Sequence, residues 1–435
     1  MGRVIGMNPG WRTAAAITAA IFLFGVVTPS VQAATVKAGA SCTTVGKATK
    51  VGTKTYVCTK VGKTKVWKLK ATPVAKPTPT PASFSKCMLP VADGRGDVAL
   101  GLPRIAARGK AVGDVRATVI FVDFPDMTTR PTPEAALGLV SPRASEIFKE
   151  ISYGRLNYMI EPNLNWFMMS KPSTAYSYST FRSHHDFVKE VIALADPTTD
   201  FSKTDSLIVI TNPLQRALSF GPAMTFPASE GFIADGRLIN NGTTSGSDIS
   251  YWGAAWLNHE IGHSFGLVDL YAYGVAPDQT FKFTGEFSLM GLNDERSRAP
   301  GLLAWERFVI GWLDQSQLVC APSGVGTYNL SPVATAGGTK AVVIPTGATT
   351  ALIVESRKPI GIDGKLSKSG LLVYRVDTSI QSGRGVVQVL SNTSLAADPR
   401  YLKAPLAVGE SLTVGGYTFT NKSTSPDVDV LVVSR

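Results

Sequence analysis

Histidine and cysteine are both scarce in this sequence, and their scarcity limits where metal or nucleophile chemistry can lie. The 435 residues include four histidines, His184, His185, His259 and His263, and four cysteines. The region beyond Cys320 contains neither residue type, and it shows no arrangement of a nucleophile with a base. A site that needs imidazole or thiolate groups is therefore expected upstream of that point.

Long apolar runs are also lacking outside the first 34 residues. There, a basic start is followed by small and apolar residues at 13–27, and residues 31–33 have the small-x-small pattern of a signal peptidase site. The apolar run is shorter than the about 20 residues that a membrane-spanning helix needs. We therefore predict a signal peptide at residues 1–33 and an exported protein, secreted or associated with the cell surface, without a transmembrane anchor.

Acidic residues are absent from residues 34–86, a segment that contains eleven lysines. The chain after residue 86 has 30 basic and 32 acidic residues, so the formal net charge of +11 comes from the N-terminal part. A lysine-rich exported segment can contact an anionic cell-envelope polymer, or it can simply form a solvated surface. Both interpretations stay open, and no nucleic acid is expected as a partner.

The most informative feature is an HExxH motif, in which His259 and His263 stand four residues apart and Glu260 follows the first. On a helix, histidines at this spacing lie on one face, where they can bind one tetrahedral Zn2+. Glu260 lies further round the helix and can accept the proton of a water molecule that the zinc holds. Gly266 lets the chain leave the helix, so that Asp269 can return as a ligand. We predict a catalytic zinc site, with an ordinary structural helix as the alternative.

The third ligand is expected to be a carboxylate, because no further histidine lies near the motif. Asp269 is the favoured residue, and Glu306 is the alternative third ligand. Asp269 can otherwise bind calcium or cap a turn. His184 and His185 lie at the predicted start of a helix, where a surface position is favoured over a ligand role.

The four cysteines allow three pairings, and export favours disulfide bonds. Cys42 and Cys58 flank one small unit, so we predict that they pair. Cys87 then pairs with Cys320 and ties the start of the region around the zinc motif to its end. The alternative is a latent form in which the Cys87 thiolate blocks the zinc, which an oxidised partner at Cys320 would exclude.

Composition and apolar periodicity divide the mature chain into four segments. A lysine-rich, disulfide-stapled β module at residues 34–70 is followed by a Pro/Thr linker at 71–86. Residues 87–320 mix helices and strands around the zinc motif, and residues 321–435 are a C-terminal all-β domain that resembles a sandwich. The expected fold class is α+β.

Periodicity also predicts individual elements. In the α/β region we expect strands at 116–124, 156–160 and 206–211, an edge strand at 225–233 beside the cleft, and helices at 141–151, 185–195, 249–258 and 303–313. In the C-terminal region we expect strands at 341–344, 351–355, 371–376, 386–390 and 428–433.

Several motifs together resemble the immune inhibitor A family of secreted metallopeptidases, which is related to the metzincins. The matching pieces are the HExxH stretch through Asp269, the run Phe287-Ser288-Leu289-Met290-Gly291, the helix ending Ile310-Gly311-Trp312-Leu313, and the shorter matches at 122–126, 152–155, 355–357 and 370–374. The resemblance covers about residues 110 to 380. It implies a metzincin-like peptidase domain, places Met290 in the turn beneath the zinc, and makes structural Ca2+ plausible without naming its ligands. Metzincins usually have histidine where this chain has Asp269.

These observations predict a secreted, zinc-dependent endopeptidase that acts on a protein or peptide substrate, with Glu260 activating the water molecule. The alternative is a cell-envelope binding protein whose peptidase domain is silent or incidental. A zinc hydrolase that does not act on peptides is a third interpretation.

Overall fold

The computed structural model describes residues 36–51, 54–69, 84–91, 100–292 and 301–435. The predicted signal peptide and most of the predicted linker lie outside these residues. The chain forms two compact units, Met1–Thr78 and Pro79–Arg435. Within the described ranges, no helix is long and apolar enough to cross a membrane.

The first unit is a three-stranded antiparallel sheet stapled by a disulfide bond. Its strands, in order across the sheet, are β1 (Ala48–Val51), β2 (Lys54–Val61) and β3 (Thr64–Leu69). Cys58 and Trp67 pair across β2 and β3, and both are buried. The bond between Cys42 and Cys58 confirms the predicted pairing. So small a sheet buries little apolar surface, and the disulfide compensates for this.

The lysines of this unit point to solvent. All those whose side chains are described are exposed, namely Lys37, Lys47, Lys50, Lys60, Lys63, Lys65 and Lys68. Binding of an anionic cell-envelope polymer by this surface stays a prediction.

The second unit begins with a central sheet flanked by helices. The strands of this part of the chain are β4 (Gly113–Asp123), β5 (Leu156–Met168), β6 (Ser206–Thr211), β7 (Ala223–Thr225), β8 (Phe232–Ala234), β9 (Arg237–Ile239) and β10 (Asn241–Thr244), of which β8 and β9 lie outside the central sheet. Its helices are α1 (Pro133–Leu137), α2 (Arg143–Ile151), α3 (Phe181–Ala195), α4 (Ile249–Trp252), α5 (Ala254–Ser264) and α6 (Ala304–Val309). The sheet order is β5-β4-β6-β10-β7, and every pairing is parallel except that of the edge strand β7.

Both faces of the central strands are covered, which explains why β4 and β6 are continuous apolar runs. On one face, Val119 and Phe121 of β4 join the core that contains α2 and α5. On the other face, Ile120 and Val122 join the core that contains α3. The combination of helices with several sheets confirms the α+β class, and the metzincin-like architecture stays a prediction.

The edge strand differs from the predicted span of 225–233. β7 ends at Thr225, a short turn follows at Ala228–Glu230, and the next strands form the separate β8–β9 hairpin. Pro227 is the physical reason, because proline has no N–H to donate to a neighbouring strand. The sheet edge is therefore shorter than predicted.

The helix predicted over 249–258 is broken into α4 and α5 at Gly253. The φ angle of Gly253 is 55°, in the left-handed region that favours glycine. A Cβ at this position would lie 2.9 Å from the carbonyl oxygen of Leu139. The close approach of a neighbouring loop therefore fixes the break.

The surface position predicted for His184 and His185 is wrong. Both lie inside α3 and are at most 9% exposed. The Nε2 atom of His184 bonds the Thr244 hydroxyl at 2.9 Å, and that of His185 bonds the Glu230 carbonyl oxygen at 2.9 Å. The helix begins at Phe181, earlier than predicted, so both histidines are helical residues. Their rings pack against aromatic side chains.

The remaining strands form two sheets. They are β11 (Leu318–Cys320), β12 (Gly326–Leu330), β13 (Ala341–Pro345), β14 (Thr350–Arg357), β15 (Gly370–Asp377), β16 (Val387–Leu390), β17 (Ser411–Val414), β18 (Tyr417–Thr424) and β19 (Asp429–Ser434). The orders are β11-β13-β14-β15-β16 and β12-β19-β18-β17. Ile344 and Phe419 belong to the core between these sheets, whereas Val343 and Ile353 belong to the core that contains α2 and α5.

The second disulfide joins the start of this unit to the first of these sheets. Cys87, in the turn Phe84–Cys87, is bonded to Cys320 of β11, as predicted. No cysteine of the chain is free, so a Cys87 thiolate that blocks a metal is excluded in this form. β11 begins ahead of the predicted boundary after residue 320, and the division of the second unit stays a prediction.

Candidate metal centre

Helix α5 presents the two histidines of the HExxH motif on one side. Ile261, on the opposite side, is fully buried in the main core. His259 and His263 therefore face away from that core, with ring centroids 5.0 Å apart. Beyond the helix, Gly266 has a φ angle of 101°, and this left-handed turn brings Asp269 back beside the two rings.

Backbone carbonyl groups orient both imidazole rings. Nδ1 of His259 lies 3.0 Å from the Leu289 carbonyl oxygen, and Nδ1 of His263 lies 3.0 Å from that of Leu267. A ring that donates its Nδ1–H to a carbonyl keeps the Nε2 lone pair for a metal. The two Nε2 atoms are therefore the expected ligand atoms.

Asp269 completes a group of three potential ligands. Its Oδ1 lies 3.0 Å from Nε2 of His259 and 3.3 Å from Nε2 of His263. Among the described residues, these three form a group whose ligand atoms all lie within 4.8 Å of one another. Two ligands at tetrahedral zinc distances stand about 3.3 Å apart. Two imidazoles and one carboxylate of this spacing fit a zinc ion.

The charges of the three groups also favour a cation. Burial opposes protonation of His259 and His263, yet Asp269 raises the pKa of both. Burial opposes ionisation of Asp269 as well, but the two histidines hold its pKa well below the usual range. A buried carboxylate needs positive charge beside it. A dication bound by all three groups meets this need without protonating the histidines.

Glu260 lies next to the three potential ligands but is not one of them. Its Oε1 is 4.0 Å from Nε2 of His259, and its side chain is 14% exposed. Burial raises the pKa of Glu260 to about 8, against the lowering effect of His259 and with further raising by Asp269 and Asp248. A bound dication would favour the ionised form. From this position the carboxylate can reach a water molecule next to the ligands.

Met290 lies directly beneath α5. It is fully buried, and its Sδ is 2.8 Å from where a Cβ on Gly262 would stand, so a larger residue at 262 would displace the Met290 side chain. Its carbonyl oxygen accepts a hydrogen bond of 2.8 Å from the N–H of Leu270. The preceding residue, Leu289, supplies the carbonyl that orients His259. This turn therefore supports the helix and orients one candidate ligand, and the metzincin role of Met290 stays a prediction.

Glu306 is not brought to this group. Its carboxylate accepts hydrogen bonds from the Ser288 hydroxyl at 2.9 and 2.8 Å, and from the N–H of Leu303 at 2.8 Å. The latter bond caps the first turn of α6. Burial raises the pKa of Glu306 to about 7, while these hydrogen bonds lower it. Through Ser288, Glu306 holds the turn that contains Met290.

The loop between β15 and β16 forms a second wall of the site. The backbone N–H of Asp269 donates to the Ser382 hydroxyl at 3.0 Å, and its carbonyl oxygen accepts from the N–H of Gly383 at 2.9 Å. The Tyr273 hydroxyl donates to Oδ2 of Asp269. The tyrosine ring rests on Gly383, where a Cβ would come within 2.3 Å of it. The loop therefore holds the backbone of Asp269, and Tyr273 holds its carboxylate.

Neither Tyr273 nor Ser382 was identified from the sequence. A hydroxyl-bearing residue four positions after Asp269 is a signal that could have identified Tyr273. Ser382 lies 113 residues beyond Asp269 in a glycine-containing loop, and no sequence pattern marks it.

Two of the three candidate ligands, His263 and Asp269, line a cleft of about 370 Å3, a size typical of ligand pockets. Ala223 and Thr225 of β7 line the cleft, as do Tyr273 and Arg384. Because β7 is the last strand of its sheet, an extended peptide could add beside it through backbone pairing.

No family model matches the chain, and no curated protein matches it. Among solved structures, metalloproteinase-II from Bacteroides fragilis is 12% identical over 64% of this chain and 78% of its own, with a TM-score of 0.27. Wild-type OgpA from Akkermansia muciniphila is 13% identical over 66% of this chain and 95% of its own, with a TM-score of 0.25. Catalytically inactive OgpA bound to an O-glycopeptide substrate gives 12% identity over 66% of this chain and 94% of its own, with a TM-score of 0.23. TM-scores this low do not establish a shared fold, and the resemblance to the immune inhibitor A family stays a prediction.

Proposed function

We propose that this protein is an exported zinc-dependent endopeptidase. The observation that carries the proposal is the convergence of His259, His263 and Asp269, with Glu260 beside them and a cleft in front. Two histidines and a carboxylate, together with a separate carboxylate base, form a donor set typical of zinc hydrolases. The export signal predicted at residues 1–33 and the two disulfide bonds are consistent with an extracellular site of action.

Each residue has a distinct task in this proposal. His259, His263 and Asp269 would hold the ion, which would supply Lewis acidity toward a peptide carbonyl and a water molecule. Glu260 accepts a proton from the attacking water and passes it to the leaving amine. The edge strand β7 aligns the substrate as an extended chain, which favours peptides over other substrates.

The test uses the full-length mature chain and measures bound zinc and casein hydrolysis. Glu260→Ala should lower turnover by about 100- to 10,000-fold because the base is lost, while it keeps one zinc per chain. Glu134→Ala is the matched control, since Glu134 is exposed on α1 and does not line the cleft. A chelator should remove the activity of the parent, and zinc should restore it.

Hydrolysis of casein by Glu260→Ala at the parental rate would refute the mechanism. A parent that binds zinc and digests no protein would favour the alternative of a cell-envelope binding protein with a silent peptidase domain. Turnover of ester or amide substrates without any peptide cleavage would instead favour a zinc hydrolase that does not act on peptides.

A further inference from the structure

The free edge of β7 consists of backbone groups that point away from its sheet. On the paired side, the N–H of Phe226 donates to the Asn240 carbonyl oxygen of the neighbouring chain segment at 2.9 Å. Backbone groups alternate in direction along an antiparallel strand, so Ala223 and Thr225 direct theirs outward. Both residues also line the cleft. A substrate strand that lies beside β7 would therefore pair with these two residues.

The side chain of Arg108 already engages the outer end of this edge. Its Nη1 donates to the Thr225 carbonyl oxygen at 3.3 Å, and Arg108 lines the same cleft. This carbonyl oxygen is one of the outward acceptors that a paired strand would use. The guanidinium group therefore stands where the N–H of a substrate residue opposite Thr225 would have to lie.

The backbone next to Arg108 is bonded to the end of helix α5. The N–H of Gly109 donates to the carbonyl oxygen of Ser264, the last residue of α5, at 2.8 Å. Nη1 of Arg104 donates to the carbonyl oxygens of Gly109 at 2.8 Å and Phe265 at 3.1 Å. The same helix that presents the two histidines thus holds the segment that contains Arg108.

We propose that Arg108 limits the length of substrate strand that β7 can bind. This inference rests on the proposed peptidase function. A strand that continues from Ala223 to Thr225 must displace the guanidinium group, and one hydrogen bond of this kind changes an equilibrium by about fivefold. The expected substrates are therefore peptides that make a short backbone contact with the enzyme on one side of the cleaved bond.

The test uses the full-length mature chain and two sets of peptides. Mass spectrometry of a casein digest first locates a bond that the parent cleaves, and internally quenched peptides around it are then extended residue by residue on either side. In the second set, one backbone N–H at a time, away from the cleaved bond, is replaced by an ester oxygen, which removes a donor without adding bulk. For the parent, kcat/KM should stop rising after fewer added residues on one side than on the other.

The variant Arg108→Ala should lengthen the contact on that short side. The ratio of kcat/KM for longer and shorter peptides should rise about fivefold, and one ester replacement that the parent tolerates should now reduce kcat/KM by a similar factor. Arg182→Ala is the matched control, since Arg182 is exposed on α3 and does not line the cleft. An unchanged ratio in Arg108→Ala would overturn the inference, and so would a parent whose kcat/KM rises equally far on both sides.

A binding measurement separates this inference from the proposed function. Fluorescence anisotropy of the labelled peptides is recorded with the Glu260→Ala protein, in which turnover is blocked, with and without Arg108→Ala. If the parent cleaves nothing, casein peptides that bind this protein replace the substrates. A gain in affinity that Arg108→Ala gives to the longer peptides over the shorter ones supports the limit even without cleavage. Casein hydrolysis with a length dependence that Arg108→Ala leaves unchanged would reject the limit and keep the peptidase function, and a parent that neither binds nor cleaves peptides would overturn both.

Discussion

Replacing Gly383 should damage the metal centre from a loop more than 100 residues away in the sequence. Gly383 has a φ angle of 67°, so an alanine there carries left-handed strain of about 1–2 kcal/mol. Its Cβ would also stand 2.3 Å from the Tyr273 ring, closer than any contact between non-bonded atoms. The ring is 36% exposed and can turn toward solvent, which relieves the collision.

Turning the Tyr273 ring outward removes a hydrogen bond from Asp269. When the ring turns outward, its hydroxyl no longer donates to Oδ2 of Asp269. Loss of such a supporting hydrogen bond weakens metal binding by about 10- to 100-fold, or about 1.4–2.7 kcal/mol. We therefore expect Gly383→Ala to lose little more unfolding free energy than the backbone strain requires, but to lose most of its zinc affinity.

Gly416→Ala supplies the matched control. Gly416 has a similar φ angle of 78°, and a Cβ there would meet no atom within 4 Å. Urea denaturation of the zinc-free proteins should show similar losses for the two variants, and competition with a chromophoric chelator should show weaker zinc binding in Gly383→Ala alone. Equal zinc affinity in both variants would refute the supporting role of Tyr273.

Two further predictions concern buried ionisable groups. Burial lowers the pKa of His184 from 6.5 to about 4, so the unfolded chain takes up this proton first, and the free energy of unfolding should fall as the pH is lowered through this range. Between pH 7 and 4.5 the parent should lose about 2–3 kcal/mol more than His184→Gln in urea denaturation, and identical losses would contradict the assignment. Glu306→Gln should retain one zinc per chain by metal analysis, because Glu306 serves α6 and the Met290 turn, whereas Asp269→Ala should lose it. Loss of zinc from Glu306→Gln together with its retention in Asp269→Ala would make Glu306 the third ligand.

Features with a strong local signal were predictable from the sequence. All six residues of β6 are buried, and the uninterrupted apolar run predicted its span correctly. The four-residue spacing of His259 and His263 predicted that one helix face would hold both rings, and α5 does so. In each case, neighbouring residues contain the whole pattern, so no knowledge of distant contacts was needed.

Features that depend on distant partners were not predictable. β17 and β18 were missed because they contain polar residues such as Thr413 and Thr418, whose hydroxyls bond each other across the pair at 2.9 Å. His184 is polar by type, yet Thr244 satisfies its ring inside the core. Ser382 reaches Asp269 only through the packing of a sheet against the metal centre.

The long interval between Asp269 and the Ser382–Gly383 loop has a consequence for the timing of activity. Domains fold from the N-terminus as a chain is synthesised, so the two histidines and the aspartate emerge well before the loop that fixes the aspartate. A nascent chain that ends before residue 382 lacks this wall of the site. For the proposed peptidase, the candidate metal centre would therefore be complete only after the loop that contains Ser382 and Gly383 has been synthesised and has folded against Asp269.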